Sequence, residues 1–141
     1  MNIFFDVDYT IQGADGSLRP GTEEVFHNLI GDGHDLFVWS GVGIRTPDIK
    51  RHKLTSFISN VFQKPLEDFE KGLVTWKVTS RPHFVVDDHP EIVRVFGGFT
   101  CTPYFWRNAN DTEMYEIYNV VKEITEKGYS THHSYSPSLN D

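Results

Sequence analysis

The chain has 141 residues, enough for one domain with a buried core and too few for two. Its 38% hydrophobic and 23% charged residues exclude a disordered chain, and a single cysteine, Cys101, excludes an internal disulfide framework. A net charge of −7 argues against broad binding to nucleic acid or anionic membranes, and no apolar run reaches the length of a bilayer span. With no leader pattern ahead of the first apolar run, the expected setting is the reducing cytoplasm.

Residues 2–8 (NIFFDVD) read as a short strand buried on both faces. Residues 11–20 hold turn formers and read as a tight loop or small hairpin. A helix follows with Thr22 as its expected N-cap, Glu23 and Glu24 in its first turn, and Val25, Phe26, Leu29 and Ile30 at helical spacing. Residues 35–40 (DLFVWS) are the second strand, and Gly41-Val42-Gly43 the loop after it. Thr46-Pro47-Asp48 opens a second helix running toward Leu54, and Val61-Phe62 reads as a very short third strand. Residues 65–76 read as a helix, 83–87 as a fourth strand, 90–95 as a short helix and 99–104 as a fifth strand. The last helix spans 110–127, capped by Asp111, with Met114, Ile117, Tyr118, Val121 and Ile124 as its apolar stripe. Residues 128–141 are polar and read as a disordered tail, leaving 1–127 as the domain. Trp39, Trp76 and Trp106 read as core or half-buried packing residues.

Strands alternating with helices predict an α/β, three-layer, Rossmann-like domain with a mainly parallel sheet. Sites in such sheets form at the carboxyl ends of the strands. Three apolar runs end in polar groups that this rule gathers on one edge: Asp6 and Asp8, then Ser40 and Gly41, then Asp87 and Asp88. Carboxylates so gathered repel one another without a cation. Oxygen ligands with spare positions suit a hard divalent ion, Mg²⁺ above others. A carboxylate beside such an ion can attack phosphorus and form an acyl phosphate, while a second protonates the leaving oxygen and then activates water. Asp6 and Asp8 are the candidates for these roles. Ser40 and the backbone amides after it are candidates to hold phosphoryl oxygens. A lysine is needed to offset charge on the transferring group, and Lys64, Lys71 and Lys77 are all available. Asp87-Asp88 ahead of His89-Pro90 also reads as a helix cap, and the basic stretch 45–53 as a solvated helix face ahead of the alternative, a rim of the site that holds extra substrate phosphate or nucleic acid.

The segment IFFDVDYT resembles the first motif of the haloacid dehalogenase (HAD) superfamily. VWSG with Ser40, QKP with Lys64 and FVVDDHP with Asp87 and Asp88 resemble its second, third and fourth motifs, in order, across residues 3–90. The resemblance implies a HAD-like fold and Mg²⁺-dependent phosphatase activity. It implies Asp6 as nucleophile and metal ligand, and Asp8 as general acid/base with its main-chain carbonyl on the metal. Thr10 would support the loop, Ser40 would bind phosphate, and Lys64 would steady both nucleophile and phosphate. Asp87 or Asp88 would complete the metal site. The intervals from Asp8 to Ser40 and from Ser40 to Lys64 are too short for an inserted cap domain. The expectation is an open, capless site for a phosphorylated small molecule or macromolecule, or one closed by a second subunit of a homo-oligomer. Phosphotransfer to another acceptor, nucleic-acid end processing and non-catalytic binding of a phospholigand are the alternatives.

Overall fold

A computed structural model describes residues 1–139 of the chain. Six strands form one sheet: β1 (Asn2–Asp6), β2 (Asp35–Ser40), β3 (Ile58–Gln63), β4 (Phe84–Asp87), β5 (Gly98–Thr100) and β6 (Tyr135–Ser136). Their order is β3-β2-β1-β4-β5-β6, all parallel except for β6, which runs antiparallel to β5. The helices are α1 (Thr22–Gly31), α2 (Thr46–Arg51), α3 (Phe69–Thr75), α4 (Pro90–Phe96) and α5 (Glu113–Lys127), with a 3₁₀ turn at Thr55–Phe57. The expected α/β architecture with a mainly parallel sheet is what forms.

Alternation along the strands divides the core in two, because successive side chains point to opposite faces. Ile3, Phe5, Leu36, Val38, Phe84 and Val86 face α1 and α5, where they meet Val25, Phe26, Leu29, Met114, Ile117 and Val121. Phe4, Phe37, Trp39, Phe62 and Val85 face α3 and α4, against Leu73, Ile92, Val93 and Phe96. Burial on both faces is why these strands read as continuous apolar runs. Each such side chain contributes about 2 kcal/mol on leaving water. Among the described residues, no helix is long and apolar enough to cross a membrane.

Several boundaries differ from the sequence reading. Gly21, not Thr22, caps α1, and the Thr22 hydroxyl donates back to the Arg19 carbonyl at 2.7 Å. The second helix stops at Arg51, short of Leu54, because Lys53 turns left-handed at φ 59°. The helix read at 65–76 begins only at Phe69: Asp68 takes φ 45°, and Pro65 packs back against Gly72. The third strand is longer than Val61-Phe62 and the fifth shorter than 99–104. Thr112 caps α5, although Asp111 does accept the Glu113 amide at 3.2 Å.

The largest correction is the tail. Residues 128–139, read as disordered, return to the sheet: Gly98 pairs with Ser136 and Phe99 with Tyr135. Thr100 N–H donates to Ser134 O at 2.9 Å and Leu139 N–H to Arg94 O at 3.1 Å. An open sheet edge presents unpaired N–H and C=O groups, and this segment satisfies those of β5. Asn140 and Asp141 of the expected disordered tail lie outside the described residues. Trp39 is buried and Trp76 half-buried, both within the expected range, whereas Trp106 is largely exposed.

Candidate functional site

Parallel pairing brings the carboxyl ends of β1 to β4 to one edge. Asp6 ends β1, Ser40 ends β2, Lys64 follows β3 and Asp87 ends β4. After β1 the chain coils tightly, with the amides of Thr10, Ile11 and Gln12 all donating to Val7 O at 3.1–3.2 Å. It then makes the expected small hairpin, joined through Gln12 and Leu18. The coil carries Thr10 back beneath Asp6, so its hydroxyl donates to Asp6 Oδ2 at 3.3 Å.

Lys71 and Lys77 are exposed, and of the three lysines Lys64 is the one that meets the strand-end carboxylates. Its ammonium donates to Asp6 Oδ1 at 3.1 Å and to Asp87 Oδ2 at 2.9 Å, with all three side chains buried. Burial alone pulls the ammonium pKa down, but the charges and hydrogen bonds of Asp6 and Asp87 outweigh it and hold it above the ordinary lysine value. One ammonium does not neutralise the whole group. Burial first, and the Asp87 charge second, push the Asp6 carboxyl well above the usual range despite Lys64. Burial also raises Asp88, against the opposing effect of His89.

Asp87 Oδ1 accepts the His89 backbone N–H at 3.0 Å and lies 3.2 Å from His89 Nδ1. Asp88 Oδ1 is buried and lies 3.3 Å from His89 Nδ1, outside hydrogen-bond geometry. Asp6, Asp87, Asp88 and His89 each place one ligand atom within 4.8 Å of the others, the geometry of a group able to hold a cation. His89 joins this group although its sequence context reads as an ordinary loop histidine.

The Asp8 carboxylate stands outside that cluster, two-fifths exposed, and is gripped by Arg45 through Nη1–Oδ2 at 2.6 Å and Nη2–Oδ1 at 3.0 Å. Arg45 also donates from Nη1 to Ser40 Oγ at 3.3 Å and from Nε to Asp48 Oδ2 at 2.6 Å. The bonds to Asp8, ahead of those to Asp48, raise its pKa further, so the guanidinium is a fixed cation. Ser40 is buried and its Oγ also accepts the Val42 N–H at 3.3 Å. Gly41 leaves room for Leu66, which leans onto the place a Cβ would occupy. Arg45 stood in the sequence only as the head of a basic stretch read as a solvated face ahead of a site rim, and its pairing with Asp8 was not foreseen. The one signal was its position five residues after Ser40, within the same loop.

Every residue singled out for the site is thus on one edge. Asp6, Lys64, Asp87 and Asp88 form a buried charged centre, Thr10 backs it, and Ser40, Arg45 and Asp8 flank it. Such an arrangement can neutralise an anion, hold a divalent cation and present two carboxylates in different environments. No family model, no curated protein and no solved structure matches the chain.

Proposed function

We propose that the chain is a capless, haloacid dehalogenase-like phosphomonoester hydrolase that works through an aspartyl-phosphate on Asp6, with Mg²⁺ in the acidic cluster. The observation that carries this reading is Lys64 bridging buried Asp6 and Asp87 beside Asp88, a centre with more carboxylates than its one lysine balances. The donor set fits a hard cation: carboxylate oxygens of Asp6, Asp87 and Asp88, one of them buried without a hydrogen-bond partner. The Asp8 main-chain carbonyl is the further ligand that the resemblance adds. When bound, the ion supplies positive charge that lets a phosphate dianion approach the ionised Asp6.

The chain's own groups divide the reaction between them. Asp6 attacks phosphorus in line, and the bond to the ester oxygen breaks as Asp8 gives that oxygen a proton. Asp8, now ionised, takes a proton from water, which attacks the phosphorus of the aspartyl-phosphate and frees Asp6. Lys64 offsets charge on both nucleophile and phosphoryl group. Ser40 donates its hydroxyl to a phosphoryl oxygen. For Asp8 to carry a proton, Arg45 must release it, and an arriving phosphate is the competitor that a guanidinium accepts in the same two-pronged manner.

The test is turnover of para-nitrophenyl phosphate and a panel of phosphorylated metabolites. Turnover that needs Mg²⁺, stops with EDTA and is lost in Asp6→Asn supports the reading. Wild-type protein inert toward the whole panel at any Mg²⁺ concentration, or Asp6→Asn retaining the rate, overturns it.

A further inference from the structure

We infer that the substrate's leaving group carries a flat aromatic ring about one pentose away from the phosphorus, as in a nucleoside monophosphate, and that Tyr9, Phe105 and Trp106 receive it. This deepens the phosphatase reading above and rests on it. The leaving oxygen must come to Asp8, and the next residue in the chain is Tyr9. Its backbone takes φ 65°, a costly conformation for a bulky residue. Two backbone bonds hold it there: Tyr9 N–H to Gln12 O at 2.7 Å, and Tyr104 N–H to Tyr9 O at 2.9 Å.

The second of these bonds ties the loop after β1 to the segment after β5. Ala14 N–H donates to Phe105 O at 2.6 Å, and Arg107 N–H to Asp15 Oδ2 at 2.9 Å. The backbone around Phe105 and Trp106 is therefore anchored on both sides while their side chains stand in solvent. The Tyr9 and Phe105 ring centroids are 5.4 Å apart, and those of Phe105 and Trp106 are 6.2 Å apart. Exposure climbs along this run from 37% to 50% to 69%. Three adjoining exposed aromatic rings on a rigid backbone are costly unless something covers them.

Two cavities beside Lys64 are the alternative seats for a leaving group. A cavity of about 410 Å³ is lined by Lys64, Leu66, Phe69, His89 and Ile92, and one of about 350 Å³ by Gly41, Gln63, Lys64 and Trp76. Asp8 lines neither. The first also carries Glu67, Asp68 and Glu91 on its wall, which repel a phosphate ester. The length of the aromatic run sets the position of the ring. With ring centres 5.4 and 6.2 Å apart along a run that starts next to Asp8, a base set back from the ester oxygen by a sugar suits Phe105 and Trp106, the two most exposed members, better than a ring joined directly to it. Stacking of this kind accepts any base.

The experiment compares kcat/KM for adenosine monophosphate, ribose phosphate and para-nitrophenyl phosphate, in wild type and in the Phe105→Ala/Trp106→Ala double variant. Wild type should prefer adenosine monophosphate over ribose phosphate by roughly tenfold or more, and the double variant should bring that ratio to about one. Adenosine monophosphate added to Asp6→Asn should quench tryptophan fluorescence, ribose phosphate should not, and adding Trp106→Phe should remove the quench. Equal wild-type turnover of adenosine monophosphate and ribose phosphate overturns this inference and leaves the phosphatase standing. A KM for para-nitrophenyl phosphate below that for adenosine monophosphate overturns the pentose spacing. No turnover of any ester overturns the phosphatase instead, and the fluorescence titration alone then decides whether the aromatic run binds a base.

Discussion

Arg45 holds the Asp8 carboxylate with both arms of its guanidinium, at 2.6 and 3.0 Å, while touching Ser40 and Asp48. One cation thus spans the residue proposed to bind phosphate and the residue proposed to move the proton. Arg45→Ala removes charge-assisted bonds of the kind whose loss changes binding by about 10- to 100-fold, so KM for a phosphomonoester should rise by that order. Arg45→Lys should recover only part, since an ammonium keeps the charge and lacks the fork. Steady-state kinetics of both variants check this, and an unchanged KM in Arg45→Ala removes Arg45 from substrate binding.

Lys64 is the counter-charge for two buried carboxylates. Lys64→Met leaves Asp6 and Asp87 unpaired inside the protein, a change that costs about 3–5 kcal/mol where one partner of a buried pair is removed. Thermal unfolding in EDTA should show the loss, and Mg²⁺ should restore a share of it by binding only the folded state. A variant as stable as wild type in EDTA contradicts the account of the charged centre.

The raised pKa of Asp6 makes a pH prediction with a definite sign. The folded state holds this proton more tightly than the unfolded chain does, so the contribution is full below the ordinary carboxylate pKa and disappears as pH rises through the folded value. In EDTA, the melting temperature should therefore rise as the pH is lowered from neutrality toward the ordinary carboxylate range. Asp88 works in the same direction. His34 and His52, which burial holds below the ordinary imidazole value, oppose the trend as the pH falls through the imidazole range, and Asp48 and Glu70, lowered by their arginine partners, oppose it once they protonate, so the Asp6 contribution is read as the difference in slope between wild type and Asp6→Asn. Saturating Mg²⁺ should flatten or reverse the slope, because protons then compete with the ion. Asp6→Asn should flatten it without Mg²⁺. Calorimetry across pH with and without Mg²⁺ is the check.

The strand ends were legible because a parallel strand buried on both faces leaves an unbroken apolar run, and the polar residue that stops it marks the sheet edge. Asp6, Ser40 and Asp87 each announce themselves this way. Lys64 was legible by its place after the third strand, although sequence could not choose it over Lys71 or Lys77; only its reach between Asp6 and Asp87 does. The grip of Arg45 on Asp8 was not legible, since the two lie 37 residues apart and no local pattern encodes that pairing. The tail failed for a similar reason. Tyr135 and Ser136 have little strand character alone, and the free edge of β5 supplies the partner. The start of α3 was misplaced because Pro65 resembles a helix opener, while Asp68 adopts a left-handed turn that no composition signal marks.

Gly98 is where the sheet depends on a missing side chain. It lies at φ 152°, and a Cβ there would collide with the backbone of Val85 on the neighbouring strand, which cannot move without breaking the β4–β5 pairing. Gly128 offers a control: its φ is 85°, also unfavourable for a side chain, but a Cβ meets nothing within 4 Å. Gly128→Ala should cost only the conformational penalty, about 1 kcal/mol. Gly98→Ala adds a backbone collision and should cost about 3 kcal/mol. β5 also joins β4 to the returning tail, so the damage should spread to β6. Denaturant melts should separate the two variants, and hydrogen exchange should show the amides of Thr100, bonded to Ser134 across this edge, and Leu139, bonded to Arg94 of α4, losing protection in Gly98→Ala alone. Equal destabilisation by the two substitutions would show that the strand can shift to make room, and that the close approach of β4 and β5 is not what fixes glycine at position 98.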